Sequence, residues 1–545
     1  MKMLIKILRL RSLVTIAACV AVPVPVTAMQ SSPLAPPILS SQVKAFRLGE
    51  LNIDGNVHTK LIVILRMIPI SSGDIFNQSL WELGLEQINR SRLFEPIQPG
   101  DVVMNLDEAN GFVNIELHLK ERDHQRIDLN GGGGTNGGTS LGLDYSNINL
   151  TGRADRLSGR ARIGTRERSA GASYSGMLYG KLPLSYEVSG LFQRIEFVNA
   201  TTLTEGREPL FVQQTAGASL GAFLPLNRSR YTLAATTRAG LVYSFTTTNL
   251  AESLLSSTTS TPGTFVQGGL RVASLTPLLV HDTLDREFDP LRGSLLVVGV
   301  ELSGRALGGS LNTLKPNFDY RRFWTVGKTS EGDSREPMAI GFRIRASHIR
   351  AFGDPFTEHA LSTVKGVPVF KRVFLGGETE VRGYDVNSIA PLAQVERFIV
   401  PDSGTPALLS SEVRPIGGDT QVLFNAEYRV PIIWRSSAAA FFDIGGSYNA
   451  RRLVEERFET TSQIQSTGAP VKVLTVLKPL GAGQDFLPRY RASLGGELRF
   501  PIPILNIPLR LIFAWNPNNQ KVVPDGALLA PEKRFTFRVG FSRTL

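Results

Sequence analysis

The feature that most constrains this chain is a two-residue alternation of apolar and polar side chains that begins near Arg126 and continues to the C-terminus. Side chains of a β-strand point alternately to opposite faces of a sheet, so this period indicates strands rather than helices. The last segment shows it most clearly, with Phe535, Phe537, Val539, Phe541 and Leu545 on one parity, broken only by Arg543, and Arg534, Thr536, Arg538, Gly540, Ser542 and Thr544 on the other. No helical pattern lies nearby to cover the apolar face.

The same alternation recurs earlier and places arginines repeatedly on the polar parity. Ile340, Phe342, Ile344 and Ala346 alternate with Arg343, Arg345 and Ser347, and Leu509, Leu511, Phe513 and Trp515 share the parity opposite to Arg510. Arginines would be costly in a soluble β-sandwich, because its inner faces are dry. Lipid outside and water inside accommodate both parities. The sequence therefore predicts a mostly β fold in which residues 123–545 form a transmembrane antiparallel β-barrel.

Length and composition agree with one large barrel and a small appendage. The chain has 545 residues, of which 52 are glycine. No uninterrupted apolar run reaches about 18 residues, so a membrane-spanning helix is not indicated. Roughly 420 residues at about 26 per strand and loop give on the order of 16 strands, within the range of single-chain barrels. The pattern alone does not separate about 14 strands from about 18.

Residues 1–28 are predicted to be a signal peptide. The segment has a basic start, an apolar middle and a small-residue cleavage site, which are Lys2, Lys6, Arg9 and Arg11, then Leu13–Val22, then Val26-Thr27-Ala28. The apolar middle is too short to cross a bilayer. Lipidation at Cys19 is the alternative, because Ile16-Ala17-Ala18-Cys19 resembles a bacterial lipobox.

Removal of the signal peptide would leave a chain without cysteine and with a modest positive charge. Cys19 is the only cysteine in the sequence, so cleavage after Ala28 excludes a disulfide framework and any thiolate metal site. The formal net charge falls by four, from +11 to +7, because the segment carries four basic residues and no acids. The remaining excess is spread along alternating strands, which does not favour a nucleic-acid partner.

A small α+β unit is predicted at residues 44–122, after a Ser- and Pro-rich linker at 29–43. Its elements follow the order strand, helix, helix, strand, strand, with a strand at Ala45–Ile53 and helices at Lys60–Met67 and Ser79–Arg90. In the second helix, Leu80, Leu83 or Gly84, and Ile88 share one face, with Glu82, Glu86 and Gln87 available for the other. The closing strand has Val113, Ile115, Leu117 and Leu119 on its buried parity and Asn114, Glu116, His118 and Lys120 on the other.

This α+β unit resembles a polypeptide-transport-associated (POTRA) domain. The resemblance rests on the element order and on three short motifs, I-D-G-N at 53–56, G-D-I-F at 73–76 and R-L-F at 92–94. An unrelated small α/β domain is the alternative. The sequence contains one recognisable copy, whereas bacterial assembly factors often carry several.

The segment Val373–Tyr384 reads V-F-L-G-G-E-T-E-V-R-G-Y and contains a candidate for an interaction inside the barrel. Arg382 has a fixed fork of donors that can hold two carboxylates at once, and a glycine lets the backbone turn sharply against a wall. Strand parity allows Glu427 and Asp443 to face the lumen. An ion pair between mobile groups in a wet lumen would contribute about 0–1 kcal/mol, whereas a partly desolvated clamp can contribute far more. An exposed arginine in a surface turn is the alternative.

Together these segments resemble the BamA/TamA superfamily of outer-membrane assembly factors. The V-R-G-F/Y tip of that family's long sixth loop corresponds to Val381, Arg382, Gly383 and Tyr384, preceded by the double glycine at Gly376 and Gly377. N-A-E-Y-R-V-P at 425–431 and F-F-D-I-G at 441–445 resemble its N-x-E-L-x-x-P and F-x-D-x-G strand motifs. The resemblance implies sixteen strands, a long loop at about 351–420 folded back into the lumen, and Arg382 held there by Asp443 and Glu427.

Two weaker similarities and one departure accompany these motifs. H-D-T-L-D at 281–285 followed by P-L-R-G at 290–293 resembles the family's D-x-x-D…P-x-R-G hairpin, and P-I-G-G at 415–418 resembles the diglycine that enters the strand of Glu427. Leu545 departs from the family's usual terminal aromatic residue, and Phe541 is the candidate to replace it in the insertion signal.

No catalytic, cofactor-binding or metal-binding residue is predicted. The glycine tract 131–138 is not followed by the Lys-Ser/Thr of a phosphate-binding loop, and its glycines are instead expected to weaken the first barrel strand. G-A-S-Y-S at 171–175 lacks the second glycine of a nucleophile elbow. The six histidines show no metal-ligand spacing. The protein is therefore not expected to be an enzyme.

The family resemblance implies an outer-membrane protein, with the POTRA domain in the periplasm, that inserts or translocates other polypeptides. A client strand would add to an edge of the POTRA sheet and then to the first barrel strand, because unpaired edges recruit strands. Expected partners are outer-membrane lipid, unfolded β-barrel or secreted polypeptide clients, and periplasmic or lipoprotein accessory factors. A translocase dedicated to a single client and a passive outer-membrane channel are the alternatives.

Overall fold

The computed structural model describes residues 46–540 except 135–137, 179–183, 198–210, 227–234, 253–268, 287–288, 328–336, 354–362, 365–366, 402–404, 433–435, 451–454, 464–469, 481–489, 503–504 and 520–531. The predicted signal peptide with Cys19, the linker, and the terminal residues Phe541 and Leu545 lie outside the described residues.

A small α+β unit begins the described chain. Its elements are β1 (Arg47–Asp54), α1 (Leu61–Met67), α2 (Gln78–Ser91), β2 (Val102–Asp107) and β3 (Phe112–His118). The sheet order is β1-β3-β2, with β1 parallel and β2 antiparallel to β3. The helices therefore form the crossover that a parallel pair requires. Neither helix in the described part of the chain is long and apolar enough to cross a membrane.

The buried face of α2 differs in part from the predicted one. Trp81, Gly84 and Ile88 are buried, whereas Leu83 is 37% exposed and Gln87 is only 4% exposed. Gly84 allows the close approach, because a Cβ there would lie 3.3 Å from the Ile68 Cα atom. The predicted positions Gly84 and Ile88 are thus confirmed, Leu80 packs partly buried against the same core, and the indole of Trp81 is an additional core side chain.

Antiparallel strands dominate the rest of the chain. In chain order they are β4 (Gln125–Gly134), β5 (Gly138–Asn147), β6 (Arg156–Gly164), β7 (Glu167–Met177), β8 (Ser185–Phe197), β9 (Phe211–Pro225), β10 (Thr237–Glu252), β11 (Leu270–Asp282), β12 (Gly293–Ser303), β13 (Thr313–Val326), β14 (Met338–His348), β15 (Arg350–Ala351), β16 (Thr363–Val364), β17 (Val367–Pro368), β18 (Leu392–Val400), β19 (Ala407–Pro415), β20 (Thr420–Pro431), β21 (Ser437–Tyr448), β22 (Glu456–Gln463), β23 (Pro470–Pro479), β24 (Arg491–Ile502), β25 (Leu505–Trp515) and β26 (Phe535–Gly540). The mostly β prediction is confirmed.

Sixteen long strands of the described chain form one large antiparallel sheet. They pair in the order β4 to β14, then β20, β21, β24, β25 and β26, with short β15 beside β13. The predicted number of about 16 strands is confirmed. The segments between β14 and β20 and between β21 and β24 contribute a separate four-stranded sheet, β19-β18-β23-β22, which the sequence did not predict.

The register of the large sheet follows the predicted alternation. Phe342 lies opposite Phe424, and Phe513 lies opposite Phe537 with ring centroids 4.9 Å apart. The intervening residues point inward, among them Arg343 and Arg510. Exposed large apolar side chains are therefore concentrated on the outer face, where a lipid environment would solvate them.

The two end strands of the large sheet, β4 and β26, meet at a seam. β25 and β26 align from Arg510 opposite Gly540 to Trp515 opposite Phe535. Among the described residues, which end at Gly540, β26 aligns with β4 through Gly540 opposite Gly134. The glycine tract predicted to weaken the first barrel strand ends β4 and begins β5.

The α+β unit packs against the turn that links β5 and β6, residues 148–155. The Lys60 amide donates to the Gly152 carbonyl (2.8 Å), and the Asn149 side-chain amide donates to Thr59 Oγ1 (2.8 Å). Ala154 joins the hydrophobic core of the α+β unit. These contacts define the proximal end of the barrel, at which the antiparallel order also places the turn between β11 and β12.

Candidate functional site

The long loop, residues 349–419, carries the predicted tip into the barrel interior. Gly376 and Gly377 both adopt positive φ, +114° and +101°. A Cβ at Gly376 would lie 2.2 Å from the Asp385 carbonyl oxygen, so only glycine fits this turn. Backbone hydrogen bonds between Leu375 and Ile389 close the base of the hairpin.

Arg382 lies at the hairpin tip and is fully buried. Its Nε and Nη2 donate to the two carboxylate oxygens of Asp443, each at 2.8 Å, and its backbone N–H also donates to Asp443 (3.1 Å). Its Nη1 donates to Glu427 Oε2 at 2.9 Å. The structure therefore brings the predicted arginine against both predicted carboxylates, and none of the three side chains is exposed.

A third carboxylate completes this group, and sequence reasoning missed it. Glu497 on β24 accepts from Arg382 Nη1 at 3.1 Å. The guanidinium also stacks on Phe441, with Cζ 3.8 Å from the ring centroid, which favours a cation further. We call Arg382 together with Asp443, Glu427 and Glu497 the arginine clamp.

Further polar groups surround the carboxylates of the arginine clamp. Glu427 Oε1 accepts from Arg429 and Arg499, and Glu497 accepts from Arg499 and from both Nε and Nη2 of Arg510. Asn425 donates to Asp443 (2.8 Å) and to the Glu380 carbonyl. A buried ion pair contributes only when hydrogen bonds satisfy its remaining atoms, and this network meets that condition. The clamp is thus desolvated and bidentate rather than a mobile pair in a wet lumen.

The residues that flank Arg382 attach the tip to the last three wall strands. The Gly383 carbonyl accepts from Asn516 (3.0 Å), Thr536 (3.2 Å) and Arg538 (3.3 Å). Asp385 pairs with Arg538 at 2.5 Å. The Tyr384 hydroxyl donates to the Ala492 carbonyl at 3.0 Å. The tip therefore contacts β24, Asn516 immediately after β25, and β26, which is the strand at the seam.

Glycine is required at the centre of the tip. Gly383 has a φ of +96°, and a Cβ there would lie 2.5 Å from Asn516 Oδ1 and 2.7 Å from Ala514 Cβ. Val381 and Tyr384, on either side, are buried in a small apolar cluster with Leu375, Ile389 and Leu423. Apolar packing and ion pairing thus hold the same short segment.

Strand parity was a sufficient signal for the additional members of the network. Leu494, Gly496, Leu498 and Phe500 alternate with the inward-pointing pair Glu497 and Arg499, and Arg510 lies inward between apolar neighbours. The family motifs drew attention to Glu427 and Asp443 alone. Within the described residues, no group of three or more His, Cys, Asp and Glu side chains is arranged to hold a metal ion.

A second polar network lies where the α+β unit meets the barrel. The Glu121 carboxylate accepts from the backbone N–H groups of His58 (2.9 Å) and Thr59 (2.6 Å), and a ring nitrogen of His58 lies 2.8 Å from the Asn149 carbonyl. Burial acts to raise the pKa of Glu121, but the hydrogen bonds from Thr59 and His58 outweigh it, so the pKa lies below the usual 4.5. The ionised carboxylate therefore orders the segment that contacts the turn 148–155.

Comparison with known proteins gives a family for this fold. Residues 149–542 match the Omp85 superfamily domain. Among curated proteins, the outer membrane protein assembly factor BamA of Nitratidesulfovibrio vulgaris (strain Hildenborough) is 22% identical over 412 residues, which cover 74% of this chain and 44% of the relative. BamA of Neorickettsia risticii (strain Illinois) is 23% identical over 433 residues, covering 78% and 50%. The chain spans about half the length of these relatives.

Solved structures with a similar fold include two proteins of related architecture. BamA from Haemophilus ducreyi lacking POTRA domains 1–3 has a TM-score of 0.57 and 18% sequence identity, and covers 91% of this chain and 84% of its own. CdiB from Acinetobacter baumannii has a TM-score of 0.55 and 13% identity, and covers 91% and 74%. At these identities the likeness concerns the fold.

Proposed function

Because the chain belongs to the Omp85 superfamily, we propose that it acts at the bacterial outer membrane to insert or translocate other polypeptides. The assembly factors among its relatives support this function. The observation that carries it is the glycine-rich end of β4, residues 131–134, which lies at the seam with β26. Glycines weaken the interior of a strand, and unpaired backbone groups at membrane depth must find partners, so this end of β4 favours exchange of its pairing for that of a client strand.

In this proposal the sixteen-stranded sheet is a transmembrane barrel and the unit at 46–122 is a POTRA domain in the periplasm. The strand, helix, helix, strand, strand order supports the second assignment. Among the described residues β2 pairs only with β3, and Val103, Met104 and Leu106 on it are exposed. An open edge with exposed apolar side chains suits an extended client segment.

The hairpin tip holds one of the two strands that meet at the seam. The tip binds β26 through Arg538, with Asp385 and the Gly383 carbonyl as acceptors. The opposite strand, β4, ends in consecutive glycines, which pair weakly and have no side chains to pack. We therefore infer that β4 separates from β26 and presents its edge to the client.

Depletion of the protein in its host, followed by quantification of the outer-membrane proteome, tests the function. Loss of many β-barrel proteins supports general assembly. Loss of a single secreted or outer-membrane protein identifies a dedicated translocase, and an unchanged proteome with altered permeability identifies a passive channel and contradicts the proposal.

A disulfide across the seam tests the mechanism. The double substitution Gly134→Cys and Gly540→Cys joins an aligned pair of β4 and β26 and is expected to stop client assembly until a reductant is added. The matched control is Ser244→Cys with Ser274→Cys, an aligned inward-facing pair on β10 and β11. Equal activity of the oxidised seam variant and the oxidised control would show that the seam does not open.

A further inference from the structure

Two arginines beside the clamp converge on a single carboxylate from a different part of the barrel. Arg429 on β20 donates through Nη1 to Asp289 Oδ1 at 2.7 Å, and Arg499 on β24 directs its Nη1 to the same oxygen at 3.4 Å. Asp289 belongs to the turn between β11 and β12. In the order of the large sheet, the strands β13 and β14 lie between β12 and β20, which carries Arg429, and β21 lies between β20 and β24, which carries Arg499. None of the sequence motifs assigned a role to this contact.

The other acids near Arg429 and Arg499 are already shared among several cations. Glu427 receives ion pairs from both of them and from Arg382, and Glu497 receives them from Arg499, Arg510 and Arg382. Asp289 is therefore the further carboxylate that the two Nη1 groups reach, and Arg429 Nη1 has the Pro290 carbonyl as a second acceptor. Arg429 is 4% exposed and Arg499 is 8% exposed, so water solvates neither guanidinium well. Buried cations that lack a counter-charge are costly.

The turn holds Asp289 in a special backbone conformation that aims its carboxylate at the two arginines. Asp289 has a φ of +54°, a left-handed conformation that aspartate tolerates better than most residues. Asp285 Oδ1 accepts the backbone N–H groups of Leu291 and Arg292, and the Pro290 carbonyl accepts from Arg429 at 3.0 Å. The Asp289 side chain is 49% exposed. Asp289 is therefore the half-exposed residue of this group, and it lies between the buried arginines and the solvent at the proximal end.

We propose that Arg429 and Arg499 form a carboxylate-binding site and that Asp289 is its built-in occupant. Two guanidiniums converge on one carboxylate oxygen, Asp289 Oδ1. The planar fork of a guanidinium can also engage the second oxygen of a carboxylate, which a spherical anion lacks. Because the site opens toward the proximal end, a carboxylate of a polypeptide can compete with Asp289 there. This last step, the source of the competing carboxylate, rests on the proposed function, whereas the site itself does not.

Chemical rescue of a cavity variant tests the site directly. Asp289→Gly removes a CH₂–COO⁻ group that acetate replaces in shape and charge, and glycine adopts the positive φ without strain. The purified full-length variant in detergent is expected to unfold at a lower temperature than the parent and to be restabilised by acetate. A ligand that binds only the folded state raises the ratio of folded to unfolded protein about tenfold for each tenfold rise in concentration above its Kd.

Three controls make the result specific. Acetamide matches acetate in shape but not in charge, and sodium chloride matches its ionic strength. Asp144→Gly removes the acid of another inward pair, but its partner Arg160 is 62% exposed and solvated by water, so acetate is expected to have no effect. Asp289→Glu keeps a carboxylate and is also expected to be insensitive to acetate.

Rescue by acetate alone supports the site. Absence of rescue, or equal rescue by acetamide, would refute it, and equal rescue by chloride would refute its assignment to carboxylates. If Asp289→Gly does not fold, the double variant Asp289→Gly with Arg499→Gln removes one buried cation together with its acid. It is expected to fold without acetate dependence. Failure of the double variant to fold would contradict the charge argument. These readouts do not involve transport, so they remain informative if the proposed function fails.

Discussion

Substitution of Arg382 by alanine is the sharpest perturbation of the arginine clamp. Glu427 and Glu497 would keep Arg429, Arg499 and Arg510 as partners, but Asp443 would lose both side-chain donations and keep Asn425 as its side-chain donor. Removal of one partner from a buried ion pair costs about 3–5 kcal/mol. Each 1.4 kcal/mol changes an equilibrium about tenfold, so the released loop should become roughly a hundredfold to several thousandfold more populated.

Thiol labelling at the hairpin tip measures that population. Val381 is fully buried beside Arg382, so a cysteine there reacts with a maleimide only when the tip leaves its site. The experiment uses Val381→Cys in a background with Cys19→Ser, because Cys19 is the only native cysteine. The labelling rate in intact outer membranes should rise by the same factor in Arg382→Ala as the released population does.

Arg382→Lys separates charge from geometry. Lysine keeps the positive charge but is a point charge without the planar fork, and it cannot reach Asp443, Glu427 and Glu497 at once. Its labelling rate is expected to lie between those of the parent and Arg382→Ala. Cold electrophoresis without heating checks that each variant still forms the folded barrel. A labelling rate in folded Arg382→Ala within about threefold of the parent, below 1 kcal/mol, would refute the clamp as the element that holds the loop.

Three further predictions use the same protein and related assays. Gly383→Ala should release the tip and raise the labelling of Val381→Cys, because the new Cβ would collide with Asn516 and Ala514. The control Gly159→Ala places its Cβ in open space and should leave that labelling unchanged. Equal labelling of the two variants would contradict the steric argument. Glu497→Gln should increase labelling less than Arg382→Ala does, since a buried hydrogen-bonding group left under-satisfied costs about 1–3 kcal/mol, and a larger effect than Arg382→Ala would be inconsistent with Asp443 as the main partner. Because the pKa of Glu121 is lowered, its carboxylate stabilises the junction between the α+β unit and the barrel above the usual pKa of 4.5, and this stabilisation is lost as pH falls through the lowered value. Pepsin cleavage between the two units should therefore increase at acid pH in the parent. The same pH profile in the parent and in Glu121→Gln would refute this role.

Strand alternation predicted the wall of the barrel because a period of two is a local property. The residues immediately before and after Phe424 and Phe513 indicate that these two side chains lie on the outer face, and the register of β14 with β20 and of β25 with β26 shows this parity. The in-folded hairpin followed from a different signal, the resemblance of the segment with Gly376, Gly377 and Arg382 to a family motif. The residues alone also allowed an exposed arginine in a surface turn, and the three motifs taken together favoured the in-folded hairpin.

Contacts that depend on long-range geometry were not predicted. Asp289 lies 140 positions from Arg429 in the sequence, and nothing local to either residue indicates the pairing. The buried face of α2 was predicted in part, because Gly84 and Ile88 are buried as expected, but helical spacing alone did not indicate that Trp81 is buried more deeply than Leu80. The four-stranded sheet formed by β18, β19, β22 and β23 joins segments of two separate connections, and their alternation gives no information about which strands pair.

The network inside the barrel links the position of the long loop to the order of the last strands. Arg510 is fully buried and donates to the Glu378 carbonyl, and Arg538 on β26 donates to Asp385 and the Gly383 carbonyl. If the loop left, both arginines would lose acceptors inside a wall that cannot rearrange freely, so the loop stabilises β25 and β26 by the same free energy with which those strands hold the loop. A strand that inserts at the seam and displaces β26 would therefore weaken the clamp at Arg382, even though it never touches that residue. Separation of β4 carries no such penalty among the described contacts, because none of them joins β4 to the tip. If the seam opens as proposed, we therefore expect β4 to separate, because its glycines already weaken that side of the sheet.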